Sequence, residues 1–243
     1  MKELSKMAGE VRASTTLAVD ALAKQMQAEG LDVIGFGTGE PDFDTPDNIK
    51  AAGINAINEG KTKYTPAAGL INLRKAISAR LKIDFNLDYD FNQITVASGA
   101  KHNVYIALLA LLNPGDEVIL PAPYWVSYYE MIHMAGGLPM IVEAGENQHF
   151  KITPEQLESA MGPKTKALIL NNPSNPTGML YSRSELEEIA EICKKYDIYI
   201  IADEIYSGLV YDDKEFVSIP TLSQDAFERT ILVTGVSKSY AMT

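Results

Sequence analysis

The chain has 243 residues, 46% hydrophobic and 22% charged, with a formal net charge of −11 at pH 7, which suits a globular protein with a sizeable core. That acidic balance leaves no basic face for nucleic acid and no Lys/Arg cluster for an anionic membrane. One cysteine, Cys193, excludes an internal disulfide, and three scattered histidines leave no zinc spacing, so no metal site is expected.

The first stretch, MKELSKMAGEVRAST, lacks the apolar core of a signal peptide, and residues 1–45 are irregular, with GTGEPDFDTP (37–46) gathering Gly, Pro and Asp into a loop. Next, TPDNIKAAGINAI opens on a cap-like Thr45 and Pro46, and GLINLRKAISARL (69–81) is again helical. From residue 93 short β-branched runs alternate with helical patterns. The runs are QITVAS (93–98), DEVILP (116–121), LPMIVEA (138–144), KALILNN (166–172), IYIIAD (198–203) and RTILVTG (229–235). Between them, 101–112 is apolar nearly all round and predicts a buried helix. Its run VYIALLALL (104–112) is too short to span a bilayer, so no membrane partner and a cytoplasmic location are expected. In 182–196, Leu186, Ile189, Ala190 and Cys193 recur at i, i+3, i+4, i+7, which places Cys193 on a buried helix face. The alternation predicts an α/β fold with a mostly parallel sheet.

Ligands of such sheets gather outside the carboxyl ends of the strands. After QITVA comes SGAK, where Gly99 and Ala100 let main-chain N–H groups at a helix start approach an anion. Lys101 opposes the helix dipole there unless an anionic ligand is present; alone, the tetrapeptide is equally a plain turn with an exposed lysine. After KALIL comes NNPSNPTG, in which Asn175 either donates its amide to a ligand oxygen or bonds its own backbone. After IYIIA comes DEIY. Asp203 is placed to pair with a cation in a poorly solvated crevice, to cap a helix, or to lie in a solvated loop, and Tyr206 shares a helical face with it or packs in the core. After TILVTG comes VSK, which presents Lys238, an ordinary exposed lysine or one activated for Schiff-base chemistry. An anion cradle, an oxygen donor, a carboxylate and a lysine at the strand ends of one sheet are the groups that pyridoxal phosphate requires together.

The blocks GEPDFDTP, KTKYTPAAG, PGDEVILPAPYWVSY, NNPSNPTG, DEIY and GVSKSYAMT resemble, in order and spacing and over nearly the whole chain, the aspartate aminotransferase family of fold-type I pyridoxal phosphate enzymes. The chain looks most similar to the bacterial aspartate/prephenate subgroup. The resemblance implies a three-layer αβα large domain over 46–243, incomplete at its C-terminus. Residues 1–45 would belong to an incomplete small domain and a substrate loop. It implies Lys238 as the lysine joined to the cofactor, Asp203 on the pyridinium, Asn175 and Tyr206 on the phenolic oxygen, and Trp125 against the ring. Gly99, Ala100 and Lys101 would hold the phosphate, helped by Ser237; some relatives have a phosphate-binding serine three residues before the lysine, where this chain has Gly235.

Tyr64 looks like the residue that reaches a neighbouring subunit's phosphate, which implies a homodimer. Gly39 resembles a main-chain contact to substrate, alongside Trp125 and Asn175, and Arg12 and Lys101 match positions linked with dicarboxylic substrates and prephenate. The implied activity is transfer of an amino group between aspartate, or a related donor or acceptor such as prephenate, and 2-oxoglutarate. The alternatives are a C–S β-lyase on the same fold, or an inactive truncated fragment. The family's pattern continues GWR after a sequence like SYAMT, and that arginine and a later carboxylate-binding one are absent here, so the resemblance implies a truncated chain.

Overall fold

A computed structural model describes residues 2–12, 15–37 and 39–243. The chain divides into two compact units, Met1–Asp44 and Thr45–Thr243. The first carries helices α1 (Lys6–Glu10) and α2 (Thr15–Ala28), and Ser5 Oγ caps α1 by accepting from Ala8 N at 3.2 Å. The loop expected over 37–46 is irregular where described; Thr38 lies outside the described residues.

In the second unit α3 (Asp47–Asn58), α4 (Ile71–Phe85) and α5 (Ala100–Leu111) precede β1 (Glu117–Ala122). There follow α6 (Ser127–Met134), β2 (Leu138–Glu143), α7 (Pro154–Ser159), β3 (Thr165–Asn171), α8 (Arg183–Lys195), β4 (Tyr199–Asp203), α9 (Gln224–Arg229) and β5 (Thr230–Val233). The strands form one parallel sheet in the order β2-β1-β3-β4-β5. Its two faces bury separate cores, which makes three layers. Val104 and Leu108 of α5 and Tyr128 and Ile132 of α6 pack with Val118, Ile169 and Ile201. On the other face Leu157 of α7, Leu186, Ile189 and Cys193 of α8 and Ala226 of α9 pack with Ile119, Leu168 and Ile200.

Helix α8 shows how sequence becomes structure. Ser182 Oγ accepts from Glu185 N at 3.3 Å while the Glu185 carboxylate accepts from Ser182 N at 2.7 Å, a reciprocal cap that satisfies two otherwise orphaned donors. Lys194 and Lys195 sit in the last turn, where the helix dipole favours cations. The apolar stripe is fully covered, each large side chain contributing about 1.5–3 kcal/mol on burial. Cys193 is 0% exposed, and burial pushes its thiol up to about 12.

Three expectations need correction. The run 93–98 contributes no strand to the sheet: it is extended at Ile94, but Val96 N donates to Ala68 O at 3.0 Å. Gly69 brings that turn so close that a Cβ on it would lie 2.9 Å from Val96 Cβ. Helix α5 is not buried all round, because only one stripe of a helix faces the sheet; Ile106 and Leu109 stay 38% and 52% exposed. Nor does Thr45 cap α3. Its hydroxyl donates to Ala241 O at 2.6 Å, and Pro46, at the cap position, offers no side-chain bond.

Candidate active site

The parallel register aligns Asn171 with Asp203 and Asp203 with Val233, so the carboxyl ends of β3, β4 and β5 finish together. Asp203 ends β4 and is 2% exposed. Its Oδ2 accepts from the Tyr128 hydroxyl at 2.7 Å and its Oδ1 from Ile205 N at 3.2 Å. Burial raises the carboxyl above its ordinary range, and those two donors oppose the rise. Among the described residues its hydrogen-bond partners are a phenol and a main-chain amide. Tyr128, from the first turn of α6, is itself 2% exposed, and burial beside Asp203 keeps its hydroxyl protonated.

Outward from Tyr128 the Trp125 ring packs edge-on at 5.3 Å between centroids, and Lys101 Nζ lies 4.8 Å from the Trp125 ring centroid. On the other side, Asn171 Nδ2 donates to Asp203 O at 2.9 Å while Asn171 Oδ1 accepts from Asn175 N at 2.7 Å. Asn171 thereby fastens the loop after β3 to the end of β4. Asn175 Nδ2 donates to the Tyr206 hydroxyl at 3.2 Å, and Lys238 Nζ lies 5.8 Å from the Tyr206 ring centroid. The bonds Asn172–Pro173 and Asn175–Pro176 in that loop are both cis.

Tyr206 occupies a turn rather than a helix, closed by Ser207 N to Glu204 O at 3.0 Å and Leu209 N to Tyr206 O at 2.8 Å. Lys238 does not end a strand either. Strand β5 stops at Val233, and the half-buried Lys238 and Ser237 sit in a turn where Tyr240 N donates to Val236 O at 3.1 Å. A Cβ on Gly235 would stand 3.0 Å from Ile205 Cδ1, so a serine there would have to displace that side chain.

Gly99 is the N-cap of α5, with φ +82° and ψ 162°, and gives no side-chain cap. A Cβ there would meet nothing within 4 Å, so the space before the helix is open. Ala100 and Lys101 supply the first N–H groups of α5, which have no intrahelical acceptor. Tyr64 is fully exposed. Arg12 and Gly39, both exposed, belong to the Met1–Asp44 unit. Sequence reasoning missed Tyr128 and Asn171; Tyr128 lies within the quoted PAPYWVSY block, yet nothing there separates it from Tyr124 or Tyr129.

The family model for aminotransferase class I and II matches residues 31–243. The chain belongs to that family. The aspartate aminotransferase of Bacillus subtilis is 49% identical over 241 residues, covering 99% of this chain and 61% of that protein. The aspartate/prephenate aminotransferase of Cereibacter sphaeroides is 48% identical over 244 residues, covering 100% of this chain and 61% of its own length. Among solved structures, Thermus thermophilus aspartate aminotransferase with maleate superposes with a TM-score of 0.95 at 39% identity, covering 100% of this chain and 62% of that one. The chain thus spans about three fifths of the length of these class I and II aminotransferases.

Proposed function

We propose that the protein is a pyridoxal-phosphate-dependent aminotransferase that moves an amino group between aspartate, or a related acid such as prephenate, and 2-oxoglutarate. One observation carries the reading. Asp203 is a carboxyl buried to 2% exposure, held by two neutral donors and by no cation among the described residues. Such a group is costly unless a positive partner arrives, and a pyridinium nitrogen is one. The uncapped α5 start and the open space at Gly99 suit a phosphate in the same way. These residues fit the cofactor.

In this reading Asp203 would hold a proton on the ring nitrogen, Asn175 and Tyr206 would donate to the phenolic oxygen, and Trp125 would shield the ring from water. Gly99, Ala100 and Lys101 would hold the phosphate, with Ser237 as a further donor. When bound, the cofactor supplies the electron sink that stabilises a carbanion at substrate Cα. Lys238 Nζ would be the amine that holds the cofactor and would serve as the general base for the substrate Cα proton; it lies 5.8 Å from the Tyr206 ring centroid. Lys101, seated over Trp125, is placed to meet a distal carboxylate. That agrees with the dicarboxylate maleate in the Thermus thermophilus relative. Arg12 and Gly39 as substrate contacts, Tyr64 reaching across a homodimer, and residues 1–45 as part of a small domain rest on the resemblance. The relatives named above are aminotransferases, and no observation favours the β-lyase.

The test is titration with pyridoxal phosphate, borohydride reduction and peptide mapping. Label on Lys238, absent in Lys238→Ala, is expected; label on a different lysine overturns the assignment. Production of glutamate from aspartate and 2-oxoglutarate by the protein, against pyruvate and ammonia from a single sulfur amino acid, separates transaminase from lyase.

A further inference from the structure

Two acids stand side by side at the end of β4, and the second, Glu204, has no part in the chemistry above. Side chains alternate along a strand, so Glu204 points away from Tyr128, toward the face that buries Val217 and Ile219. It is 3% exposed, and its Oε1 accepts from Ile219 N at 3.1 Å. Its main-chain N–H donates to Val233 O at 2.8 Å, and its carbonyl accepts from Ser207 N at 3.0 Å. Glu204 therefore joins β4, β5, the turn that carries Tyr206, and the buried turn at 217–219.

No cation of the described residues pairs with it. The titratable groups that face it are Asp203, the last residue of β4, and the Tyr89 hydroxyl, a buried oxygen with no hydrogen-bond partner. Ile219 and Val233 bring only main-chain groups, and Ser218 a hydroxyl. That hydroxyl is close enough to favour the ionised form but is outside hydrogen-bonding geometry, so it is a donor within reach rather than a formed bond. A lone buried carboxylate is costly, and burial, with Asp203 beside it, pushes the Glu204 carboxyl up to about 8. Tyr89, pushed up to about 12 by burial, stays neutral throughout.

We propose that Glu204 is a positioning residue, pinning the Ile219 turn beneath the end of β4 and so keeping Asp203, one residue back, opposite Tyr128. Its importance for catalysis rests on the reading of Asp203 as ring partner. The pin itself is a property of the protein without cofactor. Ionisation of Glu204 would place a negative charge beside Asp203 while strengthening the bond from Ile219 N, so the surroundings of Asp203 change with it.

The experiment follows the Asp203 carboxyl carbon by NMR and the hydrogen exchange of the Ile205 amide, which donates to Asp203, in the cofactor-free full chain. Wild type is compared with Glu204→Gln, which keeps a neutral acceptor for Ile219, and Glu204→Met, which keeps the length and removes the acceptor. At about pH 6.5 the glutamine variant is expected to match wild type. The methionine variant is expected to shift the Asp203 signal and speed Ile205 exchange about tenfold or more, the effect of losing roughly one hydrogen bond of local stability. An unmoved Asp203 signal and unchanged Ile205 exchange in the methionine variant overturn the proposal. Should that variant not fold, the pH series decides. A change at Asp203 and Ile205 between about pH 6.5 and 9.5 that is larger in wild type than in the glutamine variant supports the pin, and an equal response of the two proteins refutes it. Failure of wild type to take up pyridoxal phosphate would count against the cofactor reading alone, since these measurements are made without it.

Discussion

Replacing Tyr128 by phenylalanine removes a single oxygen from the centre of the site. That oxygen donates to Asp203 Oδ2 at 2.7 Å, and with both residues 2% exposed solvent has no direct route to replace it. Asp203 would keep one donor, Ile205 N at 3.2 Å. A hydrogen bond to an ionised group is worth about 1.5–3 kcal/mol, against about 0.5–1.5 kcal/mol for a neutral pair. Burial already raises the folded carboxyl above its ordinary value of 3.8. The folded state therefore binds the proton more tightly than the unfolded chain. Asp203 thus favours folding most below 3.8, and its contribution falls as pH rises through the folded pKa.

Tyr128→Phe weakens the ionised form more than the neutral one, so the folded pKa moves further up, by about one unit for each 1.4 kcal/mol of difference. The variant should lose about 1.5–3 kcal/mol of stability where Asp203 is ionised and about 1 kcal/mol where it is protonated. Urea unfolding of both cofactor-free proteins from about pH 4 to pH 9 measures this. Ionisation of Glu204 acts on both proteins and largely cancels in the difference. A loss below about 0.5 kcal/mol at the alkaline end, or one that does not change with pH, would refute the claim that the phenol stabilises a buried carboxylate.

Asp203→Asn should weaken pyridoxal phosphate binding about 10- to 100-fold, and Asn175→Ala about tenfold at most, since one removes a charged partner and the other a neutral hydrogen bond; absorbance titration reads both, and equal losses contradict the ranking. Gly99→Ala should destabilise the protein by about 1–3 kcal/mol through backbone strain, because φ +82° and ψ 162° form a region essentially reserved for glycine. Open space at its Cβ rules out a clash as the cause, so Gly99→Ser should cost a similar amount in urea unfolding, and a neutral result for either would show that the turn relaxes.

The helices and strands that read well from sequence are those whose pattern answers a local rule. Helix α8 needs only its reciprocal cap and its i, i+3, i+4, i+7 stripe, and β3 and β4 are continuous apolar runs, as central parallel strands must be. Segment 93–98 failed because β-propensity reports a taste for extended backbone and not a partner. Val96 found its partner in the turn at Ala68. Helix α5 failed because composition cannot say how many of its sides a sheet covers.

The amino-acid sequence by itself determined the family and the α/β class, and it singled out Asp203, Asn175, Tyr206 and Lys238 as site candidates, because these lie within compact blocks whose residue types carry the signal. Tertiary structure alone decided what those residues touch. Asp203 is satisfied by Tyr128, which is 75 residues away in the chain, and the Asn175 loop is fastened to β4 by Asn171 across a 32-residue separation. It also set Glu204, the residue after β4, against Ile219. Each of these contacts depends on strand register and on which way a side chain leaves a pleat. Both are set by packing two faces of one sheet at once, and no local pattern around Tyr128, Asn171 or Glu204 encodes that.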